Sequence, residues 1–467
     1  MKIEQIEIKE FRCFKDVTVD FHDKLNVIVG ANASGKSSFL TALAYSMMLD
    51  SDDQMITLDR RFSLPSKPNE NGKFIAKINL GQKIFMIYRD EIKYLFDDES
   101  NYTIDRDIRL ENREDHLSLA ASSQTKLPEP ILFPSLFPNK SKEFFSHSLM
   151  WTKRIQSENY SKFVAVLKTI DLPLYAFYQT NRRFPEKIAL SHNALQKQFG
   201  LTDVFDDSAF DPSNNHQSLF DWFYVRENQE MREAKNRKDF DFELPELKSM
   251  RKAIADIIGN VKRVFFEDTP PRLKVKMEDD SVFNIKELSD GYRNMLLIIM
   301  DFARRLGLAY PGYDNPNEAP AILLIDEIEL HLHPKWQQRV LPDLQRAFPN
   351  TQIFVTTHSP AILSTVKREN IIILDENHQA HKLPPDIGTY GADTQKILTR
   401  VFGAEETPSS IETGEKFKQY LRLIDKNEHE SAAAIALRNE LNEYLGDADP
   451  TLLRADSRII QKKFLKK

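Results

Sequence analysis

Gly30-Ala31-Asn32-Ala33-Ser34-Gly35-Lys36-Ser37 is the stretch that decides the fold. It satisfies G-x-x-x-x-G-K-[ST] at every position. The apolar run Leu25–Val29 before it reads as a short buried strand, and a helix is predicted from about Lys36 to Met48. Strand, glycine loop and helix in that order argue against a chance glycine loop. The glycines let backbone N–H groups close around an anion at a helix N-terminus, where the dipole favours negative charge. Lys36 is expected to reach the outer phosphates of a nucleotide, and Ser37 to ligate Mg²⁺ through its hydroxyl, with Ser38 beside it.

A second anchor is Ala321-Ile322-Leu323-Leu324-Ile325-Asp326-Glu327. Five successive apolar residues read as a central strand of a parallel sheet, buried on both faces. Two carboxylates at its end are costly to bury without a partner, and a magnesium ion is the natural one. Asp326 is expected to hold the metal. Glu327 is expected to act as the general base toward an attacking water.

Three further segments narrow the class. Leu288-Ser289-Asp290-Gly291-Tyr292 precedes the amphipathic run Met295–Leu308, which makes a second exposed helix N-terminus. Thr356-Thr357-His358-Ser359-Pro360 ends another buried strand, Gln352–Thr357, and puts His358 where a phosphate sensor would sit. Glu329-Leu330-His331-Leu332-His333-Pro334 follows the acidic pair. His331 and His333 flank one leucine with no third ligand evident, so a metal site there is disfavoured.

Composition is that of a globular chain: 467 residues, 41% hydrophobic, 29% charged, net charge −6. No run approaches the roughly 18 apolar residues of a membrane-spanning helix. The start, Met1-Lys2-Ile3-Glu4, lacks a secretory core, and a single cysteine, Cys13, excludes an internal disulfide and a multi-cysteine zinc site. A cytoplasmic location with no membrane partner is the expectation. Two basic places stand out, Arg182-Arg183 and the tail bearing Arg454, Arg458, Lys462, Lys463, Lys466 and Lys467. The tail reads first as a solvated helix.

Four segments follow from the patterning. Residues 1–185 form an ATPase lobe with an insertion at about 105–170. Residues 186–280 form a mostly helical lobe. Residues 281–385 complete the ATPase core, and 386–467 form a helical C-terminal region. The expected class is α/β, a mixed sheet around a phosphate-loop core with helical insertions.

The motifs, in their order over residues 1–50 and 285–365, resemble the ABC ATPase superfamily in its SMC/RecF-like branch. That resemblance implies ATP with Mg²⁺ and a homodimer in which Ser289 and Gly291 touch the γ-phosphate on the partner's loop. It assigns Glu327, Lys36 and His358 to catalysis, and Gly30, Ala31, Asn32, Ala33, Ser34, Gly35, Lys36, Ser37, Ser38 and Arg12 to nucleotide binding. Ser37, Asp326 and Gln179 become the metal ligands. Asp290 in the signature and Ile-Glu-Leu-His-Leu-His-Pro after Glu327 depart from transporter subunits.

The segment Asp326–Pro334 with Thr356–Pro360 resembles overcoming-lysogenization-defect and phage-defence ATPases. Asp447 and Asp449 have a nuclease-like spacing but no apolar strand before them, so no intrinsic nuclease is expected. What remains resembles the Septu-type (PtuA) ATPases, also found with retrons. This implies a higher oligomer, an HNH nuclease partner, and contact with a retron reverse transcriptase and its nucleic acid. A stand-alone RecF-like repair ATPase that binds DNA across its dimer is the alternative.

Overall fold

A computed structural model describes residues 2–47, 73–79, 83–88, 92–96, 174–182, 184–185, 188, 190–191, 193–200, 203–204, 216–268, 271–405, 408–446 and 448–465. The expected insertion at 105–170, Arg183, Asp447, Lys466 and Lys467 lie outside them. The chain divides into two compact units, Met1–Tyr390 and Gly391–Lys467.

The first unit opens with β1 (Lys2–Phe11), β2 (Phe14–Asp20) and β3 (Leu25–Gly30), then α1 (Lys36–Met47). Strands β4 (Lys73–Asn79), β5 (Lys83–Tyr88) and β6 (Ile92–Phe96) extend the first pair into an antiparallel sheet ordered β2-β1-β4-β5-β6. Ile3, Ile6, Ile8, Val17 and Val19 turn inward from it, as their alternation with charge dictates. The Gln352 side chain accepts from Ile3 N at 2.7 Å and donates to Ile3 O at 2.8 Å, tying this sheet to the next.

The central sheet adds β7 (Leu174–Tyr178), β11 (Ala321–Ile325), β12 (Thr351–Thr356), β13 (Ile371–Leu374) and β14 (Ala380–Lys382). Its order is β14-β13-β3-β12-β11-β7, parallel except for β14. Every residue of β11 and β12 is buried, which explains the uninterrupted apolar run of β11. Tyr178 and Val355 both pair with Ile325. The C-terminal ends of these strands therefore form one edge, where the loops after them meet. That register carries β7 to Tyr178.

Helices α2 (Gln217–Arg237) and α3 (Pro245–Ile258) precede β8 (Val261–Asp268), β9 (Pro271–Met277) and β10 (Val282–Asn284), which pair antiparallel as a third sheet. Then comes α4 (Asp290–Ala309). It starts before the apolar run at Met295 because its first turn is polar, with Ser289 as N-cap and Asp290 beside the helix dipole. Short α5 (Pro334–Gln337), α6 (Val340–Ala347) and short α7 (Pro360–Leu363) complete the unit. Strands β10 and β14 have three residues each, too few to show a period, and the sequence reading missed both.

The second unit contains α8 (Thr394–Arg400), α9 (Glu412–Asp425), α10 (Ala432–Leu445) and α11 (Pro450–Leu465). Phe417, Tyr420, Ile424, Ala434, Leu441, Leu452 and Ala455 form its core. Asp449 accepts from Thr451 N and Leu452 N at 2.8 and 3.2 Å, so this carboxylate caps a helix.

Candidate nucleotide site

The site is built where β3, β11, β12 and β7 end. After β3 the loop turns through Ala33 at φ 63° and Gly35 at φ 97°. A Cβ on Gly35 would also lie 2.7 Å from Cys13 Sγ. Cys13 is half-buried and packs against the core behind the loop; burial raises its thiol pKa. A Cβ on Gly30 would overlap the Leu374 carbonyl and stand 2.5 Å from Ser34 Oγ. Only a bare backbone fits this cradle at either glycine.

Lys36 Nζ donates to the carbonyls of Gly30 and Ala31 at 3.1 and 2.8 Å. The ammonium thus folds over the loop, 7% exposed. Burial lowers its pKa against the opposing pull of Asp326, Glu327 and Glu329. Ser34 Oγ is buried without a hydrogen-bond partner, an orphan polar atom in the middle of the loop. Ser37 is exposed beside it, and Arg12 Nη1 reaches Ser38 Oγ at 3.4 Å. Arg12 therefore lies against the start of α1.

Asp326 and Glu327 leave β11 side by side. The Thr356 hydroxyl donates to Asp326 Oδ1 at 2.5 Å and accepts from Glu327 N at 2.7 Å. Glu327 itself adopts a left-handed backbone, φ 45°. Glu329 Oε1 accepts from His358 N at 2.5 Å, and its Oε2 is buried without a partner. Burial and Lys36 lower the His358 pKa, while Glu329, Glu327 and Asp326 pull it the other way. Non-glycine residues with positive φ gather at this edge: Arg12, Ala33, Glu327, His331 and His378, the last with Nδ1 3.1 Å from Ser34 O. Such strain collects where a backbone serves a ligand.

Sequence reasoning missed a second buried cation of the site. Arg182 was read with Arg183 only as one of two basic places; it is 2% exposed. Its Nη1 donates to Gln179 O at 2.7 Å and Asp326 O at 2.6 Å, and its Nη2 to Glu327 O at 2.7 Å. Burial lowers its pKa to about 10, against the pull of Asp326, Glu329 and Glu327. The only sequence signal was its closeness to the end of an apolar strand. Gln179 lies in that same loop, next to the acidic pair through Arg182.

Ser289 is exposed, and its side chain makes no cap bond to α4. Gly291 packs so closely on the His331 backbone that a Cβ would overlap the carbonyl. The start of α4 is therefore seated on the segment that follows the acidic pair. His333 Nδ1 accepts from Lys335 N at 3.3 Å as the N-cap of α5. Among the described residues no group of three or more His, Cys, Asp or Glu could hold a metal ion. Ser37 offers a hydroxyl oxygen and Asp326 a carboxylate oxygen. Such a set suits Mg²⁺, which binds through one or two protein groups plus phosphate and water.

A phosphate loop facing an acidic strand end defines a nucleotide-hydrolysing head. Residues 1–363 match the AAA ATPase domain family, and the chain belongs to it. Nucleotide binding comes with that family. Over 483 residues the chain is 24% identical to the Retron Vc95 probable ATPase of Vibrio cholerae, covering 92% of this chain and 85% of that protein. It is 22% identical to the Septu protein PtuA of Bacillus mycoides over 95% of this chain, which spans 50% of that relative. The solved SMC head domain from Thermotoga maritima is 13% identical over 83% of this chain and 100% of that one, with a TM-score of 0.37. Among the described residues no helix is long and apolar enough to cross a membrane.

Proposed function

We propose that this chain is the ATP-binding and hydrolysing subunit of a prokaryotic anti-phage defence complex, and that its nucleotide state controls a partner nuclease of the HNH type. One observation carries the hydrolytic reading. Asp326 and Glu327, tied by Thr356 and Arg182, share an electrostatic site with Lys36. Likeness to a retron ATPase and a Septu protein over most of the chain supports the defence assignment.

Each residue then has a task. The backbone N–H groups of Gly30–Ser37 and the Ser34 hydroxyl receive the phosphates. Lys36 leaves the Gly30 and Ala31 carbonyls for the outer phosphates, so an anion replaces two carbonyls as its partner. Ser37 and Asp326 would hold Mg²⁺, with Gln179 as a further ligand; the ion supplies neutralisation of phosphate charge. Glu327 orients and deprotonates the attacking water. His358, just after β12 and beside Lys36, senses the γ-phosphate by hydrogen-bonding one of its oxygens.

Two heads would close over two nucleotides, with Ser289 and Gly291 of each completing the site of the other. The exposed Ser289 hydroxyl at the start of the 20-residue α4 suits that role. ATP then favours the closed pair because only that state contacts its γ-phosphate. The test is to express the chain with its neighbouring genes, purify it by a tag and assay ATP hydrolysis. A stoichiometric HNH protein with ATPase activity supports the reading. DNA alone, with DNA-stimulated hydrolysis, would replace it by a RecF-like repair role.

A further inference from the structure

Arg182 has the wrong surroundings for a ligand contact. A guanidinium meant for phosphate or nucleic acid presents its fork to solvent, whereas this one is 2% exposed and aims three N–H bonds at main-chain oxygens. Two of those oxygens belong to the acidic pair, Asp326 and Glu327, and the third to Gln179 in the loop after β7. The two loops are therefore pinned together at their backbones. Glu327 also holds a left-handed conformation that an L-residue with a bulky side chain does not keep unaided. The Glu327 carbonyl is bonded to Arg182 Nη2 on one side of the residue, and the Glu327 N–H is bonded to Thr356 Oγ1 on the other. These two bonds flank the strained residue and fix its direction.

We propose that Arg182 is a positioning residue for hydrolysis: its planar fork holds the Asp326–Glu327 backbone so that the Glu327 carboxylate meets the attacking water. This rests on the hydrolytic reading above. The guanidinium has a second effect, offsetting the crowding of Asp326, Glu327 and Glu329 before any metal arrives. A lysine could supply that charge. It could not reach these carbonyls with a rigid planar fork, since its donors radiate from a single nitrogen.

The test compares wild type, Arg182→Lys, Arg182→Ala, Glu327→Gln and the double variant Arg182→Lys/Glu327→Gln. Melting temperature, nucleotide affinity and single-turnover hydrolysis are read for each. Displacing a catalytic group by about 1 Å costs on the order of 100-fold in rate, and that loss is expected for Arg182→Lys. Its nucleotide affinity should stay within about threefold of wild type, since no Arg182 bond goes to the phosphate loop. In the Glu327→Gln background the lysine should cost little more, because both changes disable one step. A folded Arg182→Lys that hydrolyses at the wild-type rate overturns the proposal, as does one whose affinity and rate fall together. Full additivity in the double variant overturns it too, and Arg182→Lys keeps the charge where Arg182→Ala fails to fold. If wild type does not hydrolyse ATP at all, it is the underlying hydrolytic reading that fails.

Discussion

Two of the places where the first unit buries charge are built differently. In the middle of α4, Asp301 is fully buried and both its oxygens are taken. Tyr178 OH donates at 2.9 Å, Arg304 at 2.9 and 3.2 Å, and Arg305 at 2.7 Å. Arg304 bonds the Asp203 carbonyl at 3.3 Å, and Arg305 the Val204 carbonyl. That cluster closes on itself and fastens α4 to β7. At the strand ends, by contrast, Ser34 Oγ and Glu329 Oε2 are buried with no partner. The first cluster ties elements of the scaffold together, whereas the second stands beside the phosphate loop at a strained backbone.

The comparison can be broken by experiment. Glu327→Gln should lower hydrolysis by about 100- to 10,000-fold while nucleotide stays bound, as single-turnover and binding assays would read. A wild-type rate would remove the base assignment and the contrast with it. Asp301→Ala leaves two buried arginines without their shared anion and should cost about 3–5 kcal/mol in denaturant unfolding. If folded Asp301→Ala instead lost hydrolysis with its stability unchanged, the α4 cluster would count as part of the site. Lys36→Ala should weaken nucleotide binding by about 100-fold in calorimetry, the worth of a charge-assisted bond to phosphate.

A smaller effect concerns acid. The Asp301 pKa is lowered in the fold; burial works against this, and Arg305 and Arg304 outweigh it. The carboxylate thus adds stability above its ordinary value of 3.8, and that stability fades as pH falls below it toward the folded value. Asp301→Asn should flatten the acid limb of a stability-against-pH curve while leaving its slope above pH 6 unchanged. Smallest is Arg438→Ala in the second unit. It removes a partly exposed pair with Asp456 at 2.8 Å and should shift unfolding by about 0–1 kcal/mol.

What could be read in advance follows from how many residues an element needs to declare itself. The loop Gly30–Ser37 and the strand Ala321–Ile325 are contiguous, so the sequence displays both in full. Their placement on one edge also follows, since parallel strands put their C-terminal ends together. Arg182 could not be found that way. Its partners are carbonyls, which every residue has, and two of them lie far along the chain. The Asp301 cluster was hidden for a related reason. Asp301, Arg304 and Arg305 look like the polar side of an amphipathic helix until β7 and the Asp203–Val204 backbone close over them. Ser289 shows the limit from the other side: its helix start was legible, but the hydroxyl caps nothing within the helix.

The Arg182 grip has a consequence for how such a head can evolve. Because it holds main-chain oxygens, its hydrogen bonds do not depend on which side chains stand at 326 and 327. One nucleotide change at codon 327 can remove the acid and leave the loop geometry standing. With Glu327 as the proposed base, the same scaffold would then report on nucleotide by occupancy instead of turnover, a lasting sensor separated from an enzyme by a single substitution.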